Sequence, residues 1–179
     1  MPDFRRLRVP GGCFFFTVNL LERRGNALLT HRIDLLRESV RRVRRARPFA
    51  IDAFVVLPDH MHAIWTLPPD DGDFSTRWRL IKTFFARGLP ATERRSRVRR
   101  ADGERGIWQR RFWEHAIRDD EDYAAHMDYV HFNPVKHGLV ASTADWPYST
   151  FRSCVARGLY RENWGGDGVK DVEAGEPCG

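Results

Sequence analysis

The sequence predicts an α+β fold, an antiparallel sheet of the split βαβ, ferredoxin-like kind with helices packed on it. Three observations carry the prediction. The segments run strand–helix–strand–strand–helix–strand. Only Pro58-Asp59 separates the second strand from the third, a connection short enough to require an antiparallel hairpin. Both intervening segments repeat apolar residues at helical spacing, whereas the strands are short apolar runs.

Residues 14–21 are the first strand, introduced by the Pro10-Gly11-Gly12 turn. Ile33, Leu36, Val40 and Val43 then mark an amphipathic helix that ends before Pro48. Arg37, Arg41, Arg42, Arg44 and Arg45 give it a basic outer surface. Residues 49–57 form the second strand, and the third continues from His60 to Leu67. After a loop at residues 68–73, Trp78, Ile81 and Phe85 mark a second helix ending near Gly88-Leu89-Pro90. Residues 91–106 are an arginine-rich loop holding Arg94, Arg95, Arg97, Arg99, Arg100 and Arg105. Such a run is either solvated or ordered by a phosphate backbone.

Residues 112–117 read as the fourth strand. Asp119 is placed to cap the next helix, with Asp120, Glu121 and Asp122 at its positive end. Tyr123, Met127 and Val130 form a stripe that should face the core. Pro134 is expected to bend or stop this helix, leaving Asn133 terminal. Residues 1–164 read as a single domain, and 165–179, glycine-rich and acidic, as a fraying tail.

A chain of 179 residues, 42% hydrophobic and 12% aromatic, has the length and composition of one globular domain rather than a disordered chain. The net charge is +6, and nearly all of the basic residues are arginine. Arginine binds phosphate through two parallel bonds and stacks on bases, which favours a nucleic-acid partner. A bias toward arginine as a generic surface cation accounts for the charge equally well. Cys13, Cys154 and Cys178 show no close metal-ligand spacing and suggest a reduced, intracellular protein. No apolar stretch approaches a membrane span, and the N-terminus lacks a signal-peptide core, so a cytoplasmic location is expected.

His60-Met61-His62 lies in a strand-like run, so both imidazoles point to one face. Two neutral nitrogens on a rigid face can hold a divalent metal, but the pair alone lacks a third ligand and a nucleophile. Tyr129 and Asn133 lie one turn apart on one side of the last long helix. Tyr129 stands outside the apolar stripe, which is complete without it. Asn133 before Pro134 fits a helix cap as well as it fits a ligand.

Tyr129-Val130-His131-Phe132-Asn133-Pro134-Val135-Lys136-His137-Gly138-Leu139-Val140 resembles the tyrosine segment of the REP-associated tyrosine transposases, members of the single-tyrosine HUH class. Leu57-Pro58-Asp59-His60-Met61-His62 resembles the HUH segment of that family. Phe14-Phe15-Phe16-Thr17-Val18-Asn19-Leu20, Trp108-Gln109-Arg110-Arg111-Phe112-Trp113-Glu114-His115 and Trp146-Pro147-Tyr148-Ser149 follow in family order, up to about residue 166. The resemblance implies that Tyr129 attacks a DNA phosphodiester, forming a 5′-phosphotyrosine and releasing a 3′-hydroxyl. It implies that His60, His62 and Asn133 hold the cofactor, a divalent metal given by the family as Mg²⁺ or Mn²⁺. The implied partner is single-stranded or hairpin DNA of the palindromic REP type, cut and rejoined by a protein for which the family favours a monomer over a dimer.

Imidazole donors by themselves suit zinc or manganese better than magnesium. His126, three residues before Tyr129, is a candidate proton acceptor, although a solvent-facing role is the simpler expectation. Glu114 and His115 are candidates to support the metal ligands, or are structural. The basic helix, the arginine-rich loop, Arg110, Arg111 and Lys136 are expected DNA contacts. Trp65, Trp78, Trp108 and Trp113 suit stacking on unpaired bases, but each taken singly belongs in a core. A non-catalytic nucleic-acid-binding module and a water-using metal hydrolase are the competing functions.

Overall fold

Side chains alternate along the central strands and give one sheet two buried faces, each covered by helices. The computed structural model describes residues 8–91, 101, 103 and 105–166. Strands β1 (Cys13–Asn19), β2 (Ala50–Val56), β3 (His60–Thr66) and β4 (Trp113–Ala116) form one antiparallel sheet in the order β2-β3-β1-β4. This is the predicted ferredoxin-like order, with β1 and β2 parallel and β3 between them. Four-residue α1 (Leu28–His31) precedes α2 (Ile33–Ala46), and α3 (Phe74–Arg87) lies beside α2. The long helix α4 (Asp120–Lys136) covers the other face, followed by a 3₁₀ turn (Thr143–Asp145) and α5 (Phe151–Ala156). None of the helices among the described residues is long and apolar enough to cross a membrane.

Phe14, Phe16, Val18, Met61, Ala63 and Trp65 point toward α2 and α3. Phe15, Val55, Leu57 and Ile64 point toward α4. An extra residue in β2, Asp52, lies between Ile51, paired with Trp65, and Ala53, paired with Ile64. That bulge resets the alternation so that Val55 stands opposite His62 on the α4 face. Trp65 and Trp78 stack at 4.1 Å in the first core, and Trp108 is also buried. The burial expected of each holds for these three and leaves no ring for base stacking, because burying a large apolar ring is worth more than exposing it. Trp113 is half-buried against Phe15.

Arg77 is 1% exposed and ties the end of α2 to the start of α3. Its guanidinium donates to the carbonyls of Arg47 (3.2 Å), Pro48 (2.8 Å) and Asp73 (2.9 Å), and to the Asp71 carboxylate (2.8 Å). Arg77→Met should therefore leave several acceptors unsatisfied. The expected loss is about 3 kcal/mol in urea unfolding, at the low end for a buried pair because Asp71 is one-third exposed. Arg105 makes a comparable cap at the other end of α3, donating to Ala86, to Leu89 (2.8 Å) and to Pro90 (2.7 Å).

Two expectations about α4 are corrected. The helix does not stop at Pro134 or leave Asn133 terminal; it runs through Pro134 to Lys136. Proline in a helix costs roughly 3 kcal/mol, but residues 131–134 are buried on both sides. Phe132 meets Trp164, and His131 meets Phe151 and Tyr160. The stop comes at Gly138, whose φ of 66° closes a Schellman turn. Gly138 N–H donates to Val135 and Leu139 N–H to Pro134, both at 2.9 Å. The second correction is that the single apolar stripe is too narrow a description. Tyr129, His126 and Asn133 are buried with Met127 and Val130, because they face the sheet, where Tyr129 meets Phe15 and His62 and His126 meets Phe15 and His115.

Gly165 is buried with a φ of 72°, and Thr143 Oγ1 donates to its carbonyl at 3.4 Å. A Cβ there would strike Thr143, so Gly165 is packed closely against the 3₁₀ turn. Residues 167–179, including Cys178, lie outside the described residues, as do Arg94, Arg95, Arg97, Arg99 and Arg100. Cys13 and Cys154 are free thiols, and burial pushes both upward, Cys13 to about 11.

Burial holds His131 down at about 4 against its ordinary 6.5. The native state therefore refuses a proton that the unfolded chain accepts between those values. Stability is full above pH 6.5 and falls as pH drops toward 4, by about 3 kcal/mol for this group. Urea unfolding at pH 7 and pH 4.5 should show that fall, and His131→Gln should reduce it.

Candidate active site

Antiparallel pairing sets Thr17 opposite His62 and Asn19 opposite His60, so β1 and β3 present these side chains together toward α4. His60 and His62 are 5% and 1% exposed, with ring centroids 5.0 Å apart. The His60 Nδ1–H donates to the Asp59 carboxylate at 2.6 Å, and Arg23 Nε holds that carboxylate from the other side at 2.7 Å. His62 Nδ1 lies 2.8 Å from the Thr17 hydroxyl. Engaging Nδ1 in both rings leaves Nε2 as the nitrogen of each that could meet a cation.

Electrostatics keep His62 suited to a cation. Burial pushes His62 well below its usual 6.5, and the charges of His60, His137 and Lys136 push it the same way. The Asn133 amide opposes that depression, which places it beside the His62 ring. Burial raises the Asp59 carboxyl, but its bonds to His60 and Arg23 outweigh this and hold it at about 2. Asp59 thus stays ionised and fixes the His60 tautomer.

Helix α4 brings the remaining residues. Asp119 caps it, accepting from the Asp122 N–H at 2.8 Å as its position predicted. The Tyr129 ring stands edge-on to His62 at 5.3 Å and to Phe15 at 5.8 Å. Asn133, one turn on, donates from Nδ2 to the Tyr129 carbonyl at 3.4 Å. Its Oδ1 is buried with no hydrogen-bond partner among the described residues. An uncompensated buried amide oxygen is costly, and a cation would satisfy it. The helix-cap alternative for Asn133 fails, because His137 is the capping residue. Lys136 Nζ lies 4.7 Å over the Tyr129 ring, and His137 meets His60 at 5.1 Å.

The structure separates the other candidates. Glu114 pairs with Phe16 and so faces the α2–α3 side, away from the histidine pair. His115 faces α4, but it joins His126 rather than His60 and His62. Its Nε2 bonds the Asp122 carboxylate at 2.8 Å, and its ring stacks on His126 at 4.7 Å. His126 is 5% exposed, not solvent-facing, and its Nδ1–H donates to the Asp122 carbonyl at 2.8 Å. The ligand atoms of His115, Asp122 and His126 lie within 4.8 Å of one another, close enough for a cation. Arg118 already donates its N–H and Nε to the same carboxylate, however, and adds positive charge. We read this cluster as a hydrogen-bonded clasp between β4 and α4. Phe15 stands between it and the site, touching His126 at 4.8 Å and His62 at 5.6 Å.

The basic helix α2 lies on the opposite face of the sheet from the histidines. Arg41 and Arg45 bond Glu38 at 2.8 and 3.2 Å, Arg42 lies over Phe84, and Arg44 donates to the Phe49 carbonyl at 3.1 Å. Arg110 and Arg111 are exposed just before β4. Sequence reasoning did not assign roles to Asp59, Thr17, Arg23 and His137. Adjacency to His60 was a signal for Asp59, whereas Thr17 becomes visible only once the β1–β3 register is known.

No protein-family model matches the chain. It is 52% identical over 176 residues to the REP-associated tyrosine transposase of Escherichia coli strain K12, covering 98% of both chains. A relative from Haemophilus influenzae with the same family description is 44% identical over 168 residues, covering 93% of this chain and 95% of its own. Among known structures, that of a REP-associated tyrosine transposase bound to a REP hairpin superposes with a TM-score of 0.81 at 52% identity, covering 99% of each chain. With this identity over nearly its whole length, and with a tyrosine set against a histidine pair, the chain belongs to the REP-associated tyrosine transposases.

Proposed function

We propose that the protein is a metal-dependent single-stranded DNA endonuclease and strand transferase that cuts and rejoins REP-type hairpin DNA through Tyr129. The observation that carries this reading is the 5.3 Å approach of the Tyr129 ring to His62, with Asn133 on the same helix. A related protein has been seen bound to a REP hairpin, which supports hairpin DNA as the substrate.

His60 Nε2, His62 Nε2 and Asn133 Oδ1 would hold a divalent metal, Mg²⁺ or Mn²⁺. Two imidazoles and an amide oxygen make a mixed nitrogen and oxygen set that suits manganese. When bound, the ion supplies Lewis-acid polarisation of the nonbridging phosphate oxygens. The chain's own residues do the rest. Thr17 and Asp59 orient the two rings, and burial keeps His62 neutral. Tyr129 loses its proton to solvent, its oxygen bonds to phosphorus, and the bond from phosphorus to the 3′ oxygen breaks. That oxygen leaves and takes a proton, giving a 3′-hydroxyl and a 5′-phosphotyrosine that retains the phosphoester energy for rejoining. The Lys136 ammonium sits where the attacked phosphate would need a counter-charge.

Tyrosine and metal ligands meet within one chain, which supports a monomer acting alone. Both cores share one sheet, which supports the described part of residues 1–164 as a single catalytic unit. Arg110, Arg111 and Lys136 are placed to contact the strand near the site. Incubating the protein with labelled hairpin DNA and Mn²⁺ should give a covalent adduct on a denaturing gel. Cleavage without an adduct would replace this reading with a water-using hydrolase.

A further inference from the structure

Around the edge of the sheet from the histidines lies a cavity of about 240 Å³ between α2 and β2. Half-buried Phe54 and Tyr148 and the Val56 side chain supply its apolar wall, and Arg37, Arg41 and Arg44 line its rim. Tyr148 is held by the chain that covers β2. Its carbonyl accepts from the Val56 N–H at 2.8 Å, and its ring stands at 89° to Trp146, 5.4 Å away. Val56 pairs with Met61, the residue between His60 and His62. The cavity therefore backs directly onto the histidine strand, on the other face of the sheet.

We infer that this cavity is a subsite for one unpaired nucleotide of the strand flanking the hairpin. The base would lie against Tyr148 and Phe54, and its phosphates would lie on the arginine rim. The volume is below the roughly 300–1,000 Å³ of clefts that hold whole ligands, so it suits a single ring system. Arg37 and Arg41 are paired on their own helix with Asp34 at 3.6 Å and Glu38 at 2.8 Å. Those pairs are solvent-exposed and worth little, so a phosphate can take over the guanidinium groups. A strand held at the histidine face reaches the cavity by rounding the turn at residues 57–59. The inference rests on the reading of the substrate as single-stranded DNA carrying a hairpin, because such a strand is unpaired beside its stem.

The test uses the full chain and three oligonucleotides of one hairpin: without a tail, with a short 5′ tail, and with a short 3′ tail. Each tail carries 2-aminopurine. One of the two tails should raise affinity about tenfold, the scale of one base stacked on an aromatic ring, with its fluorescence quenched on binding. Tyr148→Leu should reduce that advantage to less than twofold and leave the tailless hairpin bound as before. Arg37→Gln, on the exposed face of α2, should lower the salt dependence of tailed binding by about one counterion. The inference fails if neither tail adds affinity, or if Tyr148→Leu weakens tailed and tailless hairpins equally. Wild-type protein that binds none of the three would overturn the DNA reading itself, and the subsite with it.

Discussion

Tyr129→Phe should eliminate the protein–DNA adduct and lower hairpin cleavage by about 10⁴-fold or more, the scale expected when a covalent nucleophile is removed. The change deletes one oxygen and keeps the ring that packs edge-on to His62 and Phe15. The second core should survive, with unfolding midpoints and hairpin affinity close to those of the parent. That combination distinguishes chemistry from structure. A denaturing gel with Mn²⁺ and 5′-labelled and 3′-labelled hairpins reads both cleavage and attachment. Strand cleavage by the Phe variant at a wild-type rate would overturn the tyrosine mechanism. Loss of hairpin binding would make Tyr129 a DNA contact or a core residue instead. Lys136 gives an independent check, because its ammonium lies over the same ring. Lys136→Gln should slow adduct formation, and Lys136→Arg should restore part of the rate.

Much of this site was legible in the sequence because it is built from local spacing. Two histidines one residue apart on a strand must share a face, and a tyrosine and an asparagine four apart on a helix must share a side. The helix cap at Asp119 and the hairpin at Pro58-Asp59 follow from the same short-range rules. What spacing does not reveal is set by packing between distant segments. The burial of Tyr129 comes from Phe15 and His62 on the sheet, and that of Phe132 from Trp164 folding back over α4. That contact also carries the helix through Pro134, where local propensity favours a stop. The position of Glu114 depends on the β1–β4 register, since one step in register moves a side chain to the other face. His115 and His126 looked like separate candidates in the chain, and only the fold joins them through Asp122.

Removing the metal should be as damaging as removing the nucleophile, and the losses should be graded by distance from the ion. His62→Ala takes away a proposed ligand nitrogen and is expected to reduce cleavage about 10³-fold, because Lewis-acid stabilisation is worth several kcal/mol and each 1.36 kcal/mol is tenfold in rate. Asp59→Asn keeps the size of the side chain but weakens the 2.6 Å bond that fixes the His60 tautomer. Its expected cost is a 10- to 100-fold weaker metal, roughly the cost of losing such an orienting partner. A raised Mn²⁺ concentration should recover the Asp59→Asn rate but not the His62→Ala rate, which a Mn²⁺ titration of cleavage reads directly. Asn133→Ala should fall between them and also relieve the buried, unpartnered Oδ1. The metal-free Ala variant should therefore be no less stable than the parent, although it loses activity. A marked drop in its unfolding free energy without metal would mean that Asn133 is a structural residue, and the third ligand would have to be sought at His137, whose ring lies 5.1 Å from His60.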